Sequence, residues 1–135
     1  KNKTSLPWPI HRGVVTGKFG RHAHPTIPGI TIESNGVDIT TDPNSNVYSI
    51  FDGNVSSVFS LPGAGKTVII THGGYKTVYS NLQNVEVAKG DKVDRGKKIG
   101  EVMTLSQGTS IHFEIWRVAG NERSPQNPTS WLQSK

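Results

Sequence analysis

Ser110-Ile111-His112-Phe113-Glu114-Ile115-Trp116 alternates strictly along its length. Successive side chains of a β-strand face opposite sides of a sheet, so the stretch predicts a strand with Ile111, Phe113 and Ile115 on a core face. The other face carries a hydroxyl, an imidazole, a carboxylate and an indole, which are the groups of a site or groove. This strand therefore links the predicted core to a candidate functional surface.

Strand-like segments recur along the rest of the chain. Residues 13–19, 36–40, 67–72 and 75–82 are rich in β-branched or aromatic side chains. Asp52-Gly53 is a favoured pair for a two-residue turn and predicts a hairpin over residues 46–59. Breakers in residues 22–29 predict a loop. Because no segment has helical apolar spacing over three turns, the sequence predicts an all-β domain.

The length and composition limit the organisation of the chain. Its 135 residues suffice for one domain with a single core, so residues 1–135 are interpreted as one domain. Prolines make residues 1–12 an extended N-terminal segment. Residues 124–135 form a closing segment, which Trp131 and Leu132 are expected to pin to the body. Because the chain begins at Lys1 rather than Met, we expect an excised or processed domain.

The charge pattern excludes some classes of function. The net charge is +5, with basic residues scattered apart from a cluster within residues 89–98. A nucleic-acid site would favour a basic stripe with interleaved aromatic residues, so a solvated edge is the favoured interpretation. Attraction to an anionic cell wall or an acidic partner is the secondary one. The chain has no apolar run long enough to span a membrane, and without cysteine it has no disulfide or thiolate metal site.

A series of motifs, taken in order, resembles the lysostaphin/LytM-type zinc metallopeptidase domain, which cuts peptidoglycan cross-links. The motifs are Phe19-Gly20, His24-Pro25, Asn35-Gly36-Val37-Asp38-Ile39, Asp52-Gly53, Thr71-His72-Gly73, Tyr79-Ser80-Asn81-Leu82, Gly90-Asp91-Lys92-Val93, Gly96, Ile99-Gly100 and Ile111-His112-Phe113-Glu114-Ile115. They cover nearly the whole chain. The resemblance implies antiparallel sheets built on a duplicated hybrid motif, with a groove over the central sheet.

The resemblance also locates the positions of the family's active site. Zinc is held there by the His and Asp of His-x-x-x-Asp and by the second His of His-x-His. These ligand positions are Ser34, Asp38 and His112 in this chain. The two helper histidines of the family correspond to Ser110 and Asn81. A catalytic zinc needs three protein ligands and an open position, so we expect no metal, no zinc cofactor and no catalytic residue.

Other interpretations of these residues remain open. Asp38 and His112 are expected to persist as a buried hydrogen-bonded pair. A zinc site rebuilt with His22, His24 or His72 is the less favoured alternative, because the family's pattern places none of them as a ligand.

Two further features of this surface have structural interpretations. Ser110 and His112 do not make a hydrolase, because no nucleophile elbow or oxyanion hole accompanies them. Trp116 and Tyr79 are groove-lining candidates, although aromatic residues on sheets are at least as often packing residues.

A domain that keeps its scaffold and loses catalytic groups is a candidate binding module. The Leu-Pro-Trp-Pro start, the altered metal positions and the Asn-Pro-Thr-Ser-Trp-Leu ending resemble amidase activators of the EnvC type. That resemblance implies a bacterial, periplasmic or otherwise extracytoplasmic pseudoenzyme that activates an N-acetylmuramoyl-L-alanine amidase during cell separation. The candidate groove residues are Ser34, Asp38, Asn81, Ser110, His112 and Glu114. Direct peptidoglycan binding is the first alternative, and residual zinc endopeptidase activity is the second.

Overall fold

The computed structural model describes residues 6–24 and 26–133. Within them lie thirteen strands and one short turn of 3-10 helix, Pro128–Ser130, and no α-helix. The strands are β1 Val14–Gly17, β2 Gly20–Ala23, β3 Thr31–Ser34, β4 Val37–Thr40, β5 Asn46–Tyr48, β6 Gly53–Leu61, β7 Gly65–Thr71, β8 Tyr75–Gln83, β9 Lys92–Val93, β10 Lys98–Val102, β11 Thr104–Leu105, β12 Gly108–Ala119 and β13 Glu122–Gln126. The predicted all-β fold is confirmed.

The strands form one large antiparallel sheet and a separate ribbon. The main path through the large sheet runs β1-β4-β12-β8-β7-β6-β9, and β5, β10, β11 and β13 pair alongside it. The ribbon consists of β2 and β3, which pair with each other and not with the large sheet. Strand β12 therefore lies inside the sheet, between β4 and β8, and the site residues it carries are held from both sides.

The alternation of β12 is confirmed. Ile111, Phe113 and Ile115 are at most 2% exposed, whereas the polar positions between them are only half-buried. They pack into a single core with other apolar side chains from the strands and the two end segments. One face of the central sheet is thus closed by the core and the other stays accessible. We call this other face, which carries His112, Glu114 and Trp116, the groove face.

The predicted hairpin over residues 46–59 is wrong. Strand β5 pairs with β10, and β6 pairs with β7 and β9. Between β5 and β6 the chain bends and bonds to distant segments: Asp52 Oδ1 accepts from the Arg95 N–H at 2.6 Å, and the Asp52 carbonyl lies 2.8 Å from His72 Nδ1. Because the Asp52 groups are used in these contacts, Asp52-Gly53 joins two different partner strands instead of closing a hairpin.

The predicted loop over residues 22–29 is wrong at its start. His22 and Ala23 belong to β2, opposite Ile32 and Thr31 of β3. The turn itself is tightened by His24, whose Nδ1 accepts from the Thr26 and Ile27 N–H groups at 3.1 and 3.0 Å. Residue 25 lies outside the described residues.

The two ends of the described chain meet. Leu6 N–H donates to the Trp131 carbonyl at 3.1 Å, and Gln133 N–H donates to the Leu6 carbonyl at 2.8 Å. Trp131 and Leu132 are buried, as expected of side chains that hold the closing segment to the body. Residues 1–5 and 134–135, the outer parts of the predicted end segments, lie outside the described residues. No helix in the described residues is long and apolar enough to cross a membrane.

Candidate functional site

The candidate site lies on the groove face, where β4, β12 and β8 are neighbours. Asp38 is directly opposite His112, and His112 is opposite Ser80 on its other side. Directly opposed residues of antiparallel strands share a face, so these side chains form one row across the sheet. The register therefore brings together Asp38 and His112, the two ligand positions of the family's zinc site that the resemblance implies are kept.

A chain of hydrogen bonds connects the polar side chains of β12 to Asp38. Trp116 Nε1–H donates to Glu114 Oε1 at 2.7 Å. Glu114 Oε2 lies 2.7 Å from His112 Nε2, and His112 Nδ1 lies 2.7 Å from Asp38 Oδ1. We call the three residues Asp38, His112 and Glu114 the carboxylate clamp, since one imidazole is held between two carboxylates. The predicted hydrogen bond between Asp38 and His112 is present, although the Asp38 side chain is 43% exposed rather than buried.

The clamp holds His112 in its charged form. Hydrogen bonds to Asp38 and then to Glu114 raise the pKa of His112 to about 9, against a smaller opposing effect of burial. Burial works to raise the pKa of Glu114, but the hydrogen bonds from His112 and Trp116 outweigh it, and that pKa lies below its ordinary value. Near neutral pH, His112 is therefore an imidazolium that donates from both ring nitrogens.

The geometry of the clamp differs from that of a zinc site. Ligand atoms bound tetrahedrally to zinc at about 2.0–2.2 Å lie about 3.3 Å apart. The 2.7 Å between His112 Nδ1 and Asp38 Oδ1 is instead the length of a charge-assisted hydrogen bond, with a proton between the two atoms. A metal-bound histidine commonly donates its other ring N–H to a carboxylate, so the Glu114 contact at Nε2 fits both a zinc site and a metal-free site. The Asp38 contact at Nδ1 distinguishes the two, because zinc would have to lie between those two ligand atoms.

The third ligand position, Ser34, does not supply a further zinc ligand. Ser34 Oγ donates to the Gly36 carbonyl at 3.0 Å and accepts from the Gly36 N–H at 3.2 Å, so its hydroxyl is used within its own turn. Among residues 6–24 and 26–133, no three or more His, Cys, Asp or Glu side chains are grouped so that they could hold a metal ion. The donors present do not fit a catalytic zinc.

The two helper positions are close to each other and carry no imidazole. Asn81 has a left-handed backbone, with a φ of 69°, and its Nδ2 donates to the Ser110 carbonyl at 3.3 Å. Both side chains are half-buried. Neither an amide nor a hydroxyl titrates near neutral pH, so these positions offer no general base of the histidine type.

Two glycines allow the strands to approach the clamp closely. A Cβ on Gly36 would collide with the Phe113 carbonyl, and one on Gly17 would collide with the Asp38 carboxylate. The sequence analysis included Gly36 only as part of a motif and missed Gly17. It also missed the Trp116 hydrogen bond. Trp116 and Glu114 are two residues apart on one strand, which is the signal that could have indicated the contact.

The remaining histidines and Tyr79 lie apart from the clamp. His72 Nδ1 binds the Asp52 carbonyl and its Nε2 lies 2.7 Å from Thr77 Oγ1, and burial lowers the pKa of His72. Tyr79 is fully buried and its hydroxyl accepts from the Ile50 N–H at 3.2 Å, so it is a core residue and does not line the groove. His22 and His24 lie on or beside the separate ribbon.

Comparisons with known proteins bear on the family. The sequence pattern of Peptidase family M23 matches residues 32–128. Peptidoglycan DD-endopeptidase ShyB of Vibrio cholerae is 35% identical over 108 residues, which are 78% of this chain and 25% of that protein. Stage II sporulation protein Q of Bacillus subtilis is 32% identical over 101 residues, which are 70% of this chain and 35% of that protein. The chain spans only about a quarter to a third of these relatives.

Solved structures show the same fold. A chain of the SpoIIQ–SpoIIIAH pore forming complex matches with a TM-score of 0.78 and 24% identity, over 95% of this chain and 90% of that chain. Lysostaphin from Staphylococcus simulans matches with a TM-score of 0.73 and 21% identity, over 93% of this chain and 55% of that one. The predicted lysostaphin/LytM-type fold is confirmed. Together with the match over residues 32–128, this shows that the chain belongs to Peptidase family M23.

Proposed function

We propose that this chain is a catalytically inactive, zinc-free member of its family that binds a protein partner through the groove face. The observation that carries the proposal is the direct 2.7 Å contact between His112 Nδ1 and Asp38 Oδ1. That distance suits a hydrogen bond and is shorter than the separation of about 3.3 Å that two zinc ligands need. The site then lacks both the Lewis acid and the imidazole bases of a metallopeptidase, and the same surface is available for recognition.

The proposed partner is an N-acetylmuramoyl-L-alanine amidase, which the domain activates for peptidoglycan cleavage in cell separation. The support is the resemblance of the chain's two end segments to amidase activators of the EnvC type. In the structure these segments lie together, with Leu6 bonded to Trp131 and Gln133. The proposed compartment is the periplasm or another extracytoplasmic space of a bacterium. The name of the relative ShyB, a peptidoglycan endopeptidase, is consistent with action at the cell wall.

A second candidate is assembly into a complex with a partner protein other than an amidase. The observation that favours it is the fold shared over nearly the whole chain with a component of the SpoIIQ–SpoIIIAH pore forming complex. Direct binding to peptidoglycan, which the +5 charge would assist, is the alternative that needs no protein partner. In all three candidates the domain alone does not hydrolyse peptidoglycan. The candidates differ in what the groove face binds.

The deciding experiment is dye release from purified, labelled sacculi. The domain is added alone, with zinc, with chelator, and with each of several N-acetylmuramoyl-L-alanine amidases. We expect no release by the domain under any metal condition and a saturable increase in release by one amidase. Unchanged rates of all amidases at saturating domain would refute activation. Release by the domain alone that chelator abolishes would refute the inactive state.

Two controls separate the candidates. Sedimentation of the domain with sacculi, in the absence of amidase, measures direct wall binding. Ile27→Ser alters a side chain that is 51% exposed in the turn between β2 and β3, off the large sheet, and should stimulate the amidase as the unaltered domain does. Sedimentation without amidase stimulation would favour the peptidoglycan-binding module.

A further inference from the structure

Two depressions meet where the N-terminal segment lies beside β5. Their common wall is a stacked pair of rings, His11 and Tyr48, whose centroids lie 4.3 Å apart with 13° between the ring planes. The first depression has a volume of about 320 Å³ and the second a volume of about 180 Å³. We call the two together the terminal furrow. None of the described residues that line it belongs to β4, β6, β7, β8 or β12, so the furrow is separate from the groove face and the clamp.

Aromatic rings line the first depression. Trp8 lies there beside His11 and Tyr48. The Trp8 Nε1–H donates to the Gln133 carbonyl at 2.6 Å, which holds the indole in one orientation. With about 320 Å³, this depression lies at the lower end of the range of about 300–1,000 Å³ that is typical of ligand pockets. Aromatic side chains offer a ring-shaped ligand a large apolar surface at a small cost in side-chain entropy.

The second depression adds polar groups that the fold does not use. Arg12, Asp42 and Asn46 line it, and all three residues are exposed. Among residues 6–24 and 26–133, these three side chains form no hydrogen bond or ion pair. A guanidinium only donates, a carboxylate only accepts and a carboxamide does both. Hydroxyl groups of a ligand, which both donate and accept, match this set.

The backbone beside the first depression is already paired. Tyr48 N–H donates to the Pro9 carbonyl at 2.8 Å, and Ser49 N–H donates to the Lys97 carbonyl at 2.9 Å. The Ser49 carbonyl accepts from the Gly96 N–H at 2.8 Å. An added peptide strand needs unpaired N–H and C=O groups at the edge that it joins. A ligand of the furrow is therefore recognised by side chains and not by strand addition.

Charge argues against a strongly ionic ligand. Arg12 and Asp42 line the same depression with opposite charges, so their formal charges cancel there. A phosphate-rich ligand would bring negative charge beside the Asp42 carboxylate, at a cost in free energy. An uncharged sugar ring has hydroxyl groups around its edge and C–H groups on its faces. Its two kinds of surface match the polar and the aromatic depression.

We propose that the terminal furrow binds an uncharged oligosaccharide. One pyranose ring lies against the aromatic side chains of the first depression, and the hydroxyl groups of the next ring bond to Arg12, Asp42 and Asn46. Because the furrow is separate from the groove face, a sugar chain and a protein partner can be bound at the same time. The proposal goes beyond amidase activation and does not depend on it.

Isothermal titration calorimetry of the whole domain tests the proposal with two probes, the β-1,4-linked tetramer of N-acetylglucosamine and cellotetraose. We expect saturable binding of at least one of them, with a dissociation constant of about 1 mM or lower. Asp42→Ala/Asn46→Ala removes two of the hydrogen-bonding side chains and should weaken binding about tenfold. Glu122→Ala alters an exposed polar residue on β13, outside the furrow, and is the matched control. It should bind within about twofold of the unaltered domain.

Two indole N–H signals in NMR spectra report where the sugar binds. Trp8 lines the furrow, whereas Trp116 lies on the groove face beside Glu114. We expect the sugar to shift the Trp8 signal and to leave the Trp116 signal in place. A shift at Trp116 without one at Trp8 would place the sugar on the groove face and overturn the proposal.

The remaining outcomes are equally distinct. Binding of neither tetrasaccharide, or unchanged binding by Asp42→Ala/Asn46→Ala, would overturn the furrow as a sugar site. Both kinds of sugar source support it: co-sedimentation with sacculi that the double variant loses identifies a wall glycan, and tetrasaccharide binding without co-sedimentation identifies another polysaccharide. Circular dichroism confirms that the altered domains remain folded.

The amidase assay separates this proposal from the proposed function. Asp42→Ala/Asn46→Ala should stimulate the amidase as the unaltered domain does, because the groove face is unchanged. Stimulation without any sugar binding would overturn the furrow alone. Sugar binding with the expected pattern, but no stimulation of any amidase, would support the furrow and refute activation.

Discussion

The carboxylate clamp predicts that the domain loses stability as the pH rises above neutral. The pKa of His112 is raised from 6.5 to about 9 by Asp38 and Glu114. A group whose pKa is higher in the folded state stabilises the fold while it is protonated. The contribution is therefore complete below pH 6.5 and disappears as the pH passes through about 9. Replacing His112 by Gln removes the titrating group and should remove this part of the pH dependence.

The magnitude follows from the size of the pKa shift. A rise from 6.5 to about 9 corresponds to at most about 3.4 kcal/mol. The Asp38 side chain is 43% exposed, so solvent screening reduces the expected contribution to about 2 kcal/mol. Lysines and tyrosines also titrate in alkali and affect both proteins. The measured quantity is therefore the difference between the unaltered domain and His112→Gln, which should shrink by about 2 kcal/mol between pH 6 and pH 10.

Urea denaturation at several pH values provides the free energies of unfolding for the two proteins. An NMR titration of the His112 ring gives the pKa directly and should show a midpoint near 9. Two stability curves that stay parallel from pH 6 to pH 10, or a midpoint near the ordinary histidine value, would refute the clamp as the cause. Asp38→Asn removes the largest contribution and should move the midpoint down.

Three further predictions concern other parts of the molecule. Burial lowers the pKa of His72, so its ring should titrate below 6.5, whereas that of His112 titrates above it. NMR titration midpoints of the two rings on the same side of 6.5 would contradict this prediction. Gly36→Ala would force a Cβ into the Phe113 carbonyl and should lower the free energy of unfolding in urea by about 3 kcal/mol or more. At Gly74 an added Cβ would have its nearest neighbour at 3.8 Å, so Gly74→Ala should cost less than about 1 kcal/mol. Similar costs for the two variants would refute the close approach at Gly36. Excess zinc and chelator should both leave the melting temperature unchanged, and a zinc-dependent rise would show a metal site.

Some of the fold could be predicted from the sequence because local pattern and burial agree. The alternation in β12 survives in the structure because its apolar face is buried in the core and its polar face is not. The hairpin predicted from Asp52-Gly53 does not form, for a physical reason. The groups that would close a local turn bind Arg95 and His72, which are 43 and 20 residues away. No local pattern contains that information.

Individual residues of the candidate site could be predicted from the sequence, but the arrangement of residues on neighbouring strands could not. Asp38 and His112 were identified from their motifs, and the structure places them side by side. The facing of the β6 side chains could not be predicted, because it depends on strand register. The register irregularity between Val55 and Ser57 puts Ser57 and Phe59 on the face opposite to that of Val55. Such bulges redirect side chains from one face to the other and have no sequence signal here.

The clamp and the exposed apolar side chains of β6 differ in what they can contribute to binding. In the clamp, the His112 ring nitrogens are both bonded, and the Glu114 oxygens are each bonded to a neighbour. Any partner that used these groups would first have to break charge-assisted hydrogen bonds, so the clamp contributes mainly to stability. Phe59 and Leu61 on β6 are exposed apolar side chains, and covering them would remove apolar area from water at about 25 cal/mol per Å². Binding energy should therefore come from exposed apolar side chains more than from the clamp, which holds β4 and β12 together.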